Sequence, residues 1–353
     1  HTISYSVTGV QTFALPICGK GERFWPLTRV ERPKQVLPLA TNNPMILDTI
    51  NRLSGFNAIY IVANQFLCKK FQAILPPSIQ YIVEPEPRNT APAIGLACAK
   101  IQKEHGDCLV FFETADHYYA QPDQYLVEIN KACKYASKYN RIVLIGIQPN
   151  EPHVGYGYIQ MGDLIDDAIY SVKSFKEKPD KALAQKYLLE GTYLWNAGIY
   201  ISKCSLLMTE LGRFLPNLQK FLIDYTSQVD HNNIDIKKRF QQVENTSIDY
   251  GVLEKTNSTA VMKANMPWED IGDFNSLKHV LQCDAEGNYY QSDANKISAL
   301  DSINNIILTQ KKIALIGVHD IAVVDTPDVL FICKRSDTAK IKALLEKMEP
   351  EYK

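Results

Sequence analysis

Two glycines, Gly19 and Gly21, open the stretch "GKGERFWPLTRVERPKQVLPL", which also carries Arg23, Arg29, Arg32 and Lys34. Glycine lets backbone N–H groups approach phosphate oxygens, because no Cβ stands in the way. Arg23 offers a planar fork of donors and Lys34 a point charge, both suited to a triphosphate. The spacing is not G-x-x-x-x-G-K-[ST], so the common NTPase loop is excluded. By itself the stretch fits a solvated turn as well as a phosphate cradle.

Other candidates lie further along. Asp116 in "TADH" follows the apolar run "CLVFF", which predicts a carboxylate at a strand tip. Alone it reads as a turn residue or helix cap; beside a triphosphate a carboxylate holds Mg²⁺, which takes oxygen ligands and bridges phosphates. His117 is expected to be a structural, hydrogen-bonded histidine. "EPEPRNTAPA" joins a Pro-rigid loop to a helix N-terminus whose free N–H groups suit an anion or a nucleobase edge. Thr90 is the expected cap of that helix, with Pro92 early in it and Gly106 at its end.

These residues need elements to hold them. "NAIYIVANQ", "IQYIVEP", "DCLVFFETADHYY" and "RIVLIGIQP" read as strands, with "FLCKKFQAIL" and "NTAPAIGLACAKIQKEHG" as helices between them. Apolar strands alternating with helices predict an α/β fold with a Rossmann-like, mostly parallel mixed sheet flanked by helices. Ligands in such sheets bind beyond the carboxyl ends of the strands. After Cys283 short strands alternate with Asn, Asp and Gly turns, until "DTAKIKALLEKMEPE" takes a helical period. The expected domains are an α/β domain over 18–283 and a small β-rich domain over 284–353, closed by a terminal helix. No tandem repeat is evident.

Composition narrows the class. Of 353 residues, 46% are apolar and 22% charged, ordinary for a globular core. A net charge of −1 provides no field for nucleic acid or an anionic membrane, so any anion site is local. No apolar run approaches the roughly 20 residues of a membrane span. Eight scattered cysteines without a C-x-x-C pair predict reduced thiols in a cytoplasmic protein, not a disulfide framework or zinc site. The leader "HTISYSVTGVQTFALPI" lacks a charged n-region and is a poor signal peptide. Val7 to Ile17 reads almost letter for letter like one translation frame of a common sequencing-library adapter, with Phe13 where that frame gives Cys. Residues 1–17 are therefore expected to be a non-native leader replacing the true start. "FALPI" is still apolar enough for a strand, although Pro16 suits a strand interior poorly.

The glycine-led stretch resembles the signature of sugar-1-phosphate nucleotidylyltransferases, G-G-x-G-x-R-(x)-[WF]-P-L-[ST]-…-P-K, and its tryptophan form with P-K-Q resembles the mannose-1-phosphate guanylyltransferases. "EPEPRNTAPAIGLA", "TADH", "GYGYI", "FKEKPD", "YLWNAGIY", "SIDYGVLEK" and "WEDIGDF" follow in the family's order. The likeness is dense from Gly19 to Leu277 and looser in the β-rich, β-helix-like tail. It implies nucleotide contacts at Gly19, Gly21, Arg23, Lys34, Arg88, Asn89 and Thr90. It implies Mg²⁺ on Asp116 and Asp270, with Asp273 the fallback, and sugar contacts at Gly157, Glu177, Lys178, Asn196 and Asp249. Alone, "EKP" is a commonplace turn and Trp195 a core residue. Cys18 departs from the family pattern, which has glycine there; if the leader is foreign, the native residue is glycine.

The implied reaction is GTP plus mannose 1-phosphate giving GDP-mannose and pyrophosphate, by Mg²⁺-dependent in-line displacement with Arg23, Lys34 and Asp116 as catalytic residues. Rivals are another sugar 1-phosphate and nucleotide pair, or a non-catalytic sugar-nucleotide-sensing subunit. A fused isomerase domain has no place before Lys353, so a short form is expected. The β-rich tail is a candidate homodimer contact or a brace for the sugar loops.

Overall fold

The structure is a computed structural model that describes residues 10–17, 21–227, 233–291 and 296–352. In chain order its strands are β1 (Val10–Pro16), β2 (Ala58–Ala63), β3 (Gln80–Val83), β4 (Leu109–Phe112), β5 (His117–Tyr119), β6 (Ile142–Ile147), β7 (Tyr158–Asp166), β8 (Ile169–Lys176) and β9 (Tyr193–Lys203). There follow β10 (Thr259–Ala264), β11 (Trp268–Asp270), β12 (Gln282–Cys283), β13 (Tyr289–Tyr290), β14 (Ile297–Leu300), β15 (Ile306–Leu308), β16 (Ile313–Ile316), β17 (Ile321–Asp325) and β18 (Leu330–Lys334). The helices are α1 (Met45–Arg52), α2 (Gln65–Gln72), α3 (Thr90–His105), α4 (Pro122–Tyr139), α5 (Lys181–Glu190), α6 (Cys204–Phe214), α7 (Pro216–Ser227), α8 (Asn233–Phe240) and α9 (Ile341–Leu345).

Two compact units divide the chain, and they interleave along it. The first gathers β1, Arg52–Thr114 and Tyr119–Pro267. Its mixed sheet runs β3-β2-β1-β4-β9-β6-β10-β8-β7. The block β3-β2-β1-β4 is parallel, as is β6–β10, whereas β9 is antiparallel to both its neighbours. Parallel strands covered on both faces must be apolar throughout. β1 obeys: Phe13, Ala14 and Leu15 are fully buried, and the Phe13 ring meets Phe111 edge-on at 4.8 Å. The expected "FALPI" strand thus sits centrally, and Pro16 ends it. Helix α3 packs against this core with its apolar side from Ala91 to Ile101 buried. Asn89, not Thr90, caps it: the Asn89 side chain accepts from Thr90 N at 2.9 Å, and Thr90 turns its hydroxyl to accept from Ile248 N at 2.9 Å. Gly106 ends the helix at φ +74°, as expected.

The second unit gathers the described parts of Gly19–Asn51, Ala115–Tyr118 and Trp268–Lys353. Its solenoid sets β13, β15 and β17 in parallel succession and pairs β14 with β16. Ile297 lies opposite Ile313 and Ile306 opposite Ala322, a coil of sixteen residues, while Tyr289 opposite Ile306 makes the preceding coil seventeen. The repeat lies in the corners: Gly287, Asn304 and Asp320 are left-handed, as are Asp301 and Gly317. Glycine, asparagine and aspartate tolerate that backbone best. Buried Asn288 accepts from Asn305 Nδ2 at 2.9 Å, and Asn305 accepts from Ile321 N at 3.1 Å, stitching successive coils. The terminal helix is short, a 3-10 turn over Arg335–Lys340 leading into α9.

Among the described residues no helix is long and apolar enough to cross a membrane. The described cysteines are all unpaired, with Cys68, Cys98, Cys133 and Cys204 buried and Cys283 exposed. Cys18 and residues 1–9 lie outside the described residues.

Candidate active site

The candidate residues form two groups, one in each unit. In the second unit the glycine-led stretch is not a solvated turn. Phe24, Trp25, Leu37 and Leu39 are buried in one core with Ile271, Phe274, Ile306 and Phe331. Trp25 Nε1 donates to Tyr352 O at 2.7 Å. Two of the stretch's cations hold this packing: Arg29 pairs with Asp328 at 2.9 Å, and Arg32 Nε donates to Leu27 O at 2.7 Å. Gly21 takes φ +66°, and a Cβ there would meet Lys34 Cβ at 2.9 Å. Glycine is therefore required twice over at this position, by backbone conformation and by space. Gly19 lies outside the described residues.

Lys34 and Arg23 contrast. Lys34 is only 5% exposed, and its Nζ sits 2.9 Å from Asp116 Oδ2. Arg23 is exposed, with no hydrogen bond or ion pair among the described residues. Asp116 immediately precedes β5, whose partner strand β11 ends in Asp270. Buried His117 accepts at Nδ1 from Trp268 Nε1 at 3.2 Å. This is the structural, hydrogen-bonded histidine expected from the sequence. Asp273 has a local task, since its Oδ1 accepts from Asn275 N at 2.8 Å and Ser276 N at 3.2 Å, capping the following 3-10 turn.

Asp116 and Asp270 are the carboxylates from which a hard divalent ion could draw oxygen ligands, with phosphate and water supplying the rest. Among the described residues no group of three His, Cys, Asp or Glu is arranged to hold a metal by itself.

In the first unit, β7, β8, β9 and the turn at Asp249–Leu253 assemble a polar cluster. Asn196 and Tyr200 stand four residues apart on β9, hence on one face. Asp249 Oδ1 accepts from Tyr200 OH at 2.7 Å and from Asn196 Nδ2 at 3.0 Å. Asp249 lies in a one-turn π-helix, a widening that often marks functional positions. Glu177 N donates to Glu254 at 2.8 Å, and Lys178 Nζ lies 3.6 Å from Glu177 Oε1. Lys178 holds a left-handed φ of +51°, a strained backbone for a side chain of this size. At Gly157 an added Cβ would come within 2.4 Å of Glu177 Oε2, so this glycine makes room for the carboxylate. Burial, then the nearby Asp249 charge, raises the Glu177 carboxyl to about 7. Burial likewise raises Asp249, against the hydrogen bond from Tyr200.

Arg88, Asn89 and Thr90 lie in this unit too, beside Glu84. Arg88 Nη1 donates to Val243 O at 2.8 Å, so this side chain ties the loop to the segment after α8. Glu84 follows β3 and is 4% exposed; it accepts from Arg88 N at 3.3 Å, and burial raises its carboxyl to about 7.

Residues 17–287 match the family model described as nucleotidyl transferase, and residues 295–348 match that of the MannoseP isomerase/GMP-like beta-helix domain. The mannose-1-phosphate guanylyltransferase ManC of Salmonella typhimurium is 31% identical over 94% of this chain and 72% of its own. A mannose-1-phosphate guanylyltransferase of Escherichia coli is 32% identical over 93% of this chain and 72% of its own. The chain belongs to the mannose-1-phosphate guanylyltransferase family. A solved structure from Thermus thermophilus, named mannose-1-phosphate geranyltransferase, superposes with a TM-score of 0.87 at 26% identity, covering 96% of this chain and 99% of that one.

Within this family frame, two polar residues escape the sequence. Tyr200 closes the motif "YLWNAGIY", and strand alternation from Asn196 was the signal that could have found it. Glu84 opens "EPEPRNTAPA", but only its burial sets it apart from Glu86 two residues on.

Proposed function

We propose that this chain transfers the guanylyl group of GTP to mannose 1-phosphate, forming GDP-mannose and pyrophosphate. The observation that carries this reading is the likeness to named mannose-1-phosphate guanylyltransferases over 94% of the chain. A phosphate oxygen of mannose 1-phosphate attacks the α-phosphorus in line. The bond from that phosphorus to the bridging oxygen breaks, and pyrophosphate leaves from the opposite side. The transfer needs no covalent protein intermediate, so the protein's contribution is positioning and charge compensation.

Arg23, with its unengaged guanidinium, and Lys34 neutralise the departing pyrophosphate, with Gly19 and Gly21 giving the backbone room. Lys178 clamps the phosphate of the incoming sugar. Asp249, its Oδ1 held by Tyr200 and Asn196, is the acceptor for a sugar hydroxyl, and Glu177 offers a second acceptor beside Gly157. Arg88, Asn89 and Thr90 shape the nucleotide loop. Glu84 supplies what the guanine edge requires, two acceptors for N1–H and N2–H. Asp116 and Asp270 would hold magnesium, which when bound supplies neutralisation of phosphate charge.

A pyrophosphate-release assay tests this, with GTP, ATP, UTP and dTTP each offered against several hexose 1-phosphates, on the chain with Cys18 and with Cys18→Gly. GTP with mannose 1-phosphate is the expected fastest pair, with activity lost on chelation and restored by magnesium. A faster different pair would replace the substrates. GDP-mannose binding without pyrophosphate release from either chain would replace catalysis with sensing.

A further inference from the structure

Away from every residue assigned above, the solenoid unit holds a cavity of about 500 Å³ lined by Asn275, Asn304, His319, Asp320, Lys334, Arg335 and Ser336. Its centre is Arg335, only 9% exposed. Arg335 Nε donates to Asn275 Oδ1 at 3.1 Å, and Nη1 donates to Asn304 O at 3.0 Å and to Asn304 Oδ1. The guanidinium lies 5.7 Å from the centre of the Tyr289 ring. Among the described residues it has no carboxylate partner, and Nη2 makes no hydrogen bond. Nη2 is turned to the cavity, which leaves its N–H donors open to a ligand. The lining carries Lys334 and Arg335 against one carboxylate, Asp320, which is itself engaged by Asn304 Nδ2. One positive charge stays uncompensated, with His319 and the Ser336 hydroxyl beside it.

We propose that this cavity is an anion site for a phosphoryl group, seated on Arg335 Nη2 and Lys334. With Nε and Nη1 fixed by Asn275 and Asn304, the guanidinium presents Nη2 alone, and Lys334 and the Ser336 hydroxyl beside it supply donors in other directions, which suits a tetrahedral oxyanion. The site also has a mechanical connection. Asn275 accepts from Arg335 and donates through Nδ2 to Arg335 O at 3.1 Å, and it stands five residues after Asp270. A phosphoryl group bound here draws on Arg335 and, through Asn275, on the turn capped by Asp273. The binding is independent of the catalytic reading; its effect on turnover rests on the proposed role of Asp270.

The test uses the whole chain with ¹³C,¹⁵N-labelled arginine and follows the Arg335 Nε–H resonance, assigned from Arg335→Lys, during titration with inorganic phosphate. A saturable shift is expected, its midpoint raised about tenfold in Lys334→Glu and in Ser336→Asp, which place a negative charge at the rim without touching the Arg335 hydrogen bonds. A non-saturable shift, or an unchanged midpoint in both folded variants, overturns the site. In parallel, phosphate is expected to alter pyrophosphate release by the wild type and not by Lys334→Glu. Saturable binding with no such difference retains the site and overturns the coupling.

Discussion

Lys34 Nζ lies 2.9 Å from Asp116 Oδ2, joining two segments 82 residues apart in one buried-to-half-buried ion pair. The pair fixes the ammonium and the carboxylate against each other, and in the proposed reaction these are the groups that would face the triphosphate and the metal.

Removing one member strands the other. Lys34→Gln is expected to cost roughly 3 kcal/mol of stability, within the range for broken buried pairs. Asp116→Asn keeps a hydrogen-bond acceptor for Lys34 and is expected to leave the fold intact while lowering turnover at least about a hundredfold. Thermal unfolding and pyrophosphate release measured on both variants check this. Near-wild-type turnover in Asp116→Asn would discard its metal role.

Tyr200→Phe removes the 2.7 Å hydrogen bond to Asp249 Oδ1 without changing the packing volume. With one donor fewer, Asp249 is released to swing or to take up a proton. The KM for mannose 1-phosphate is expected to rise about tenfold, with that for GTP unchanged, since one hydrogen bond to a charged group is worth about 1.5–3 kcal/mol. Steady-state kinetics with each substrate varied separates the two. Equal effects on both would argue against a sugar-side position.

Glu177 gives a pH signature. Its carboxyl is raised from the ordinary 4.5 to about 7, first by burial and then by Asp249. Between those values the folded chain holds a proton that the unfolded chain releases, so this group's contribution to stability falls as pH rises through that window and is flat above it. Glu177→Gln abolishes the dependence. Relative to the wild type, the variant is expected to gain stability progressively from about pH 4.5 to 7, by up to about 3 kcal/mol. Denaturation at several pH values reads it, and a pH-independent difference would refute the raised carboxyl.

Glu84→Gln exchanges one acceptor for a donor at the end of β3. Activity with GTP is expected to fall about a hundredfold, while ATP, whose base offers an acceptor and an amino group on that edge, is expected to lose less. A parallel loss with both nucleotides would remove Glu84 from base recognition.

Gly157→Ala is expected to displace Glu177, because the new Cβ would lie 2.4 Å from its Oε2. Mannose 1-phosphate binding should weaken while the Lys34–Asp116 half stays intact, a contrast visible in separate titrations with sugar phosphate and nucleotide.

Much of the architecture was legible in the chain. Strands such as "LVFF" and "IVLIGI" are apolar on both faces and could only be buried. Gly106 marked the end of α3 because a left-handed residue there favours glycine. The solenoid period was not legible, since Gly287, Asn304 and Asp320 share a backbone conformation and not a residue type. Thr90 looked like a helix cap, yet the hydroxyl went to Ile248 N, a partner 158 residues away that no local pattern announces.

By itself the sequence determined the inventory: which segments must be strands, where glycine is needed, and which acids and cations are present. Tertiary structure decided how they are shared. It spent Arg29 and Arg32 on holding the glycine-led loop, left Arg23 without a partner among the described residues, joined Lys34 to Asp116, and grouped that loop with the solenoid and not with strand β1 that precedes it in the chain. The reason is that local pattern fixes φ, ψ and facing, whereas the partner of a buried charge depends on which distant group reaches it first in space.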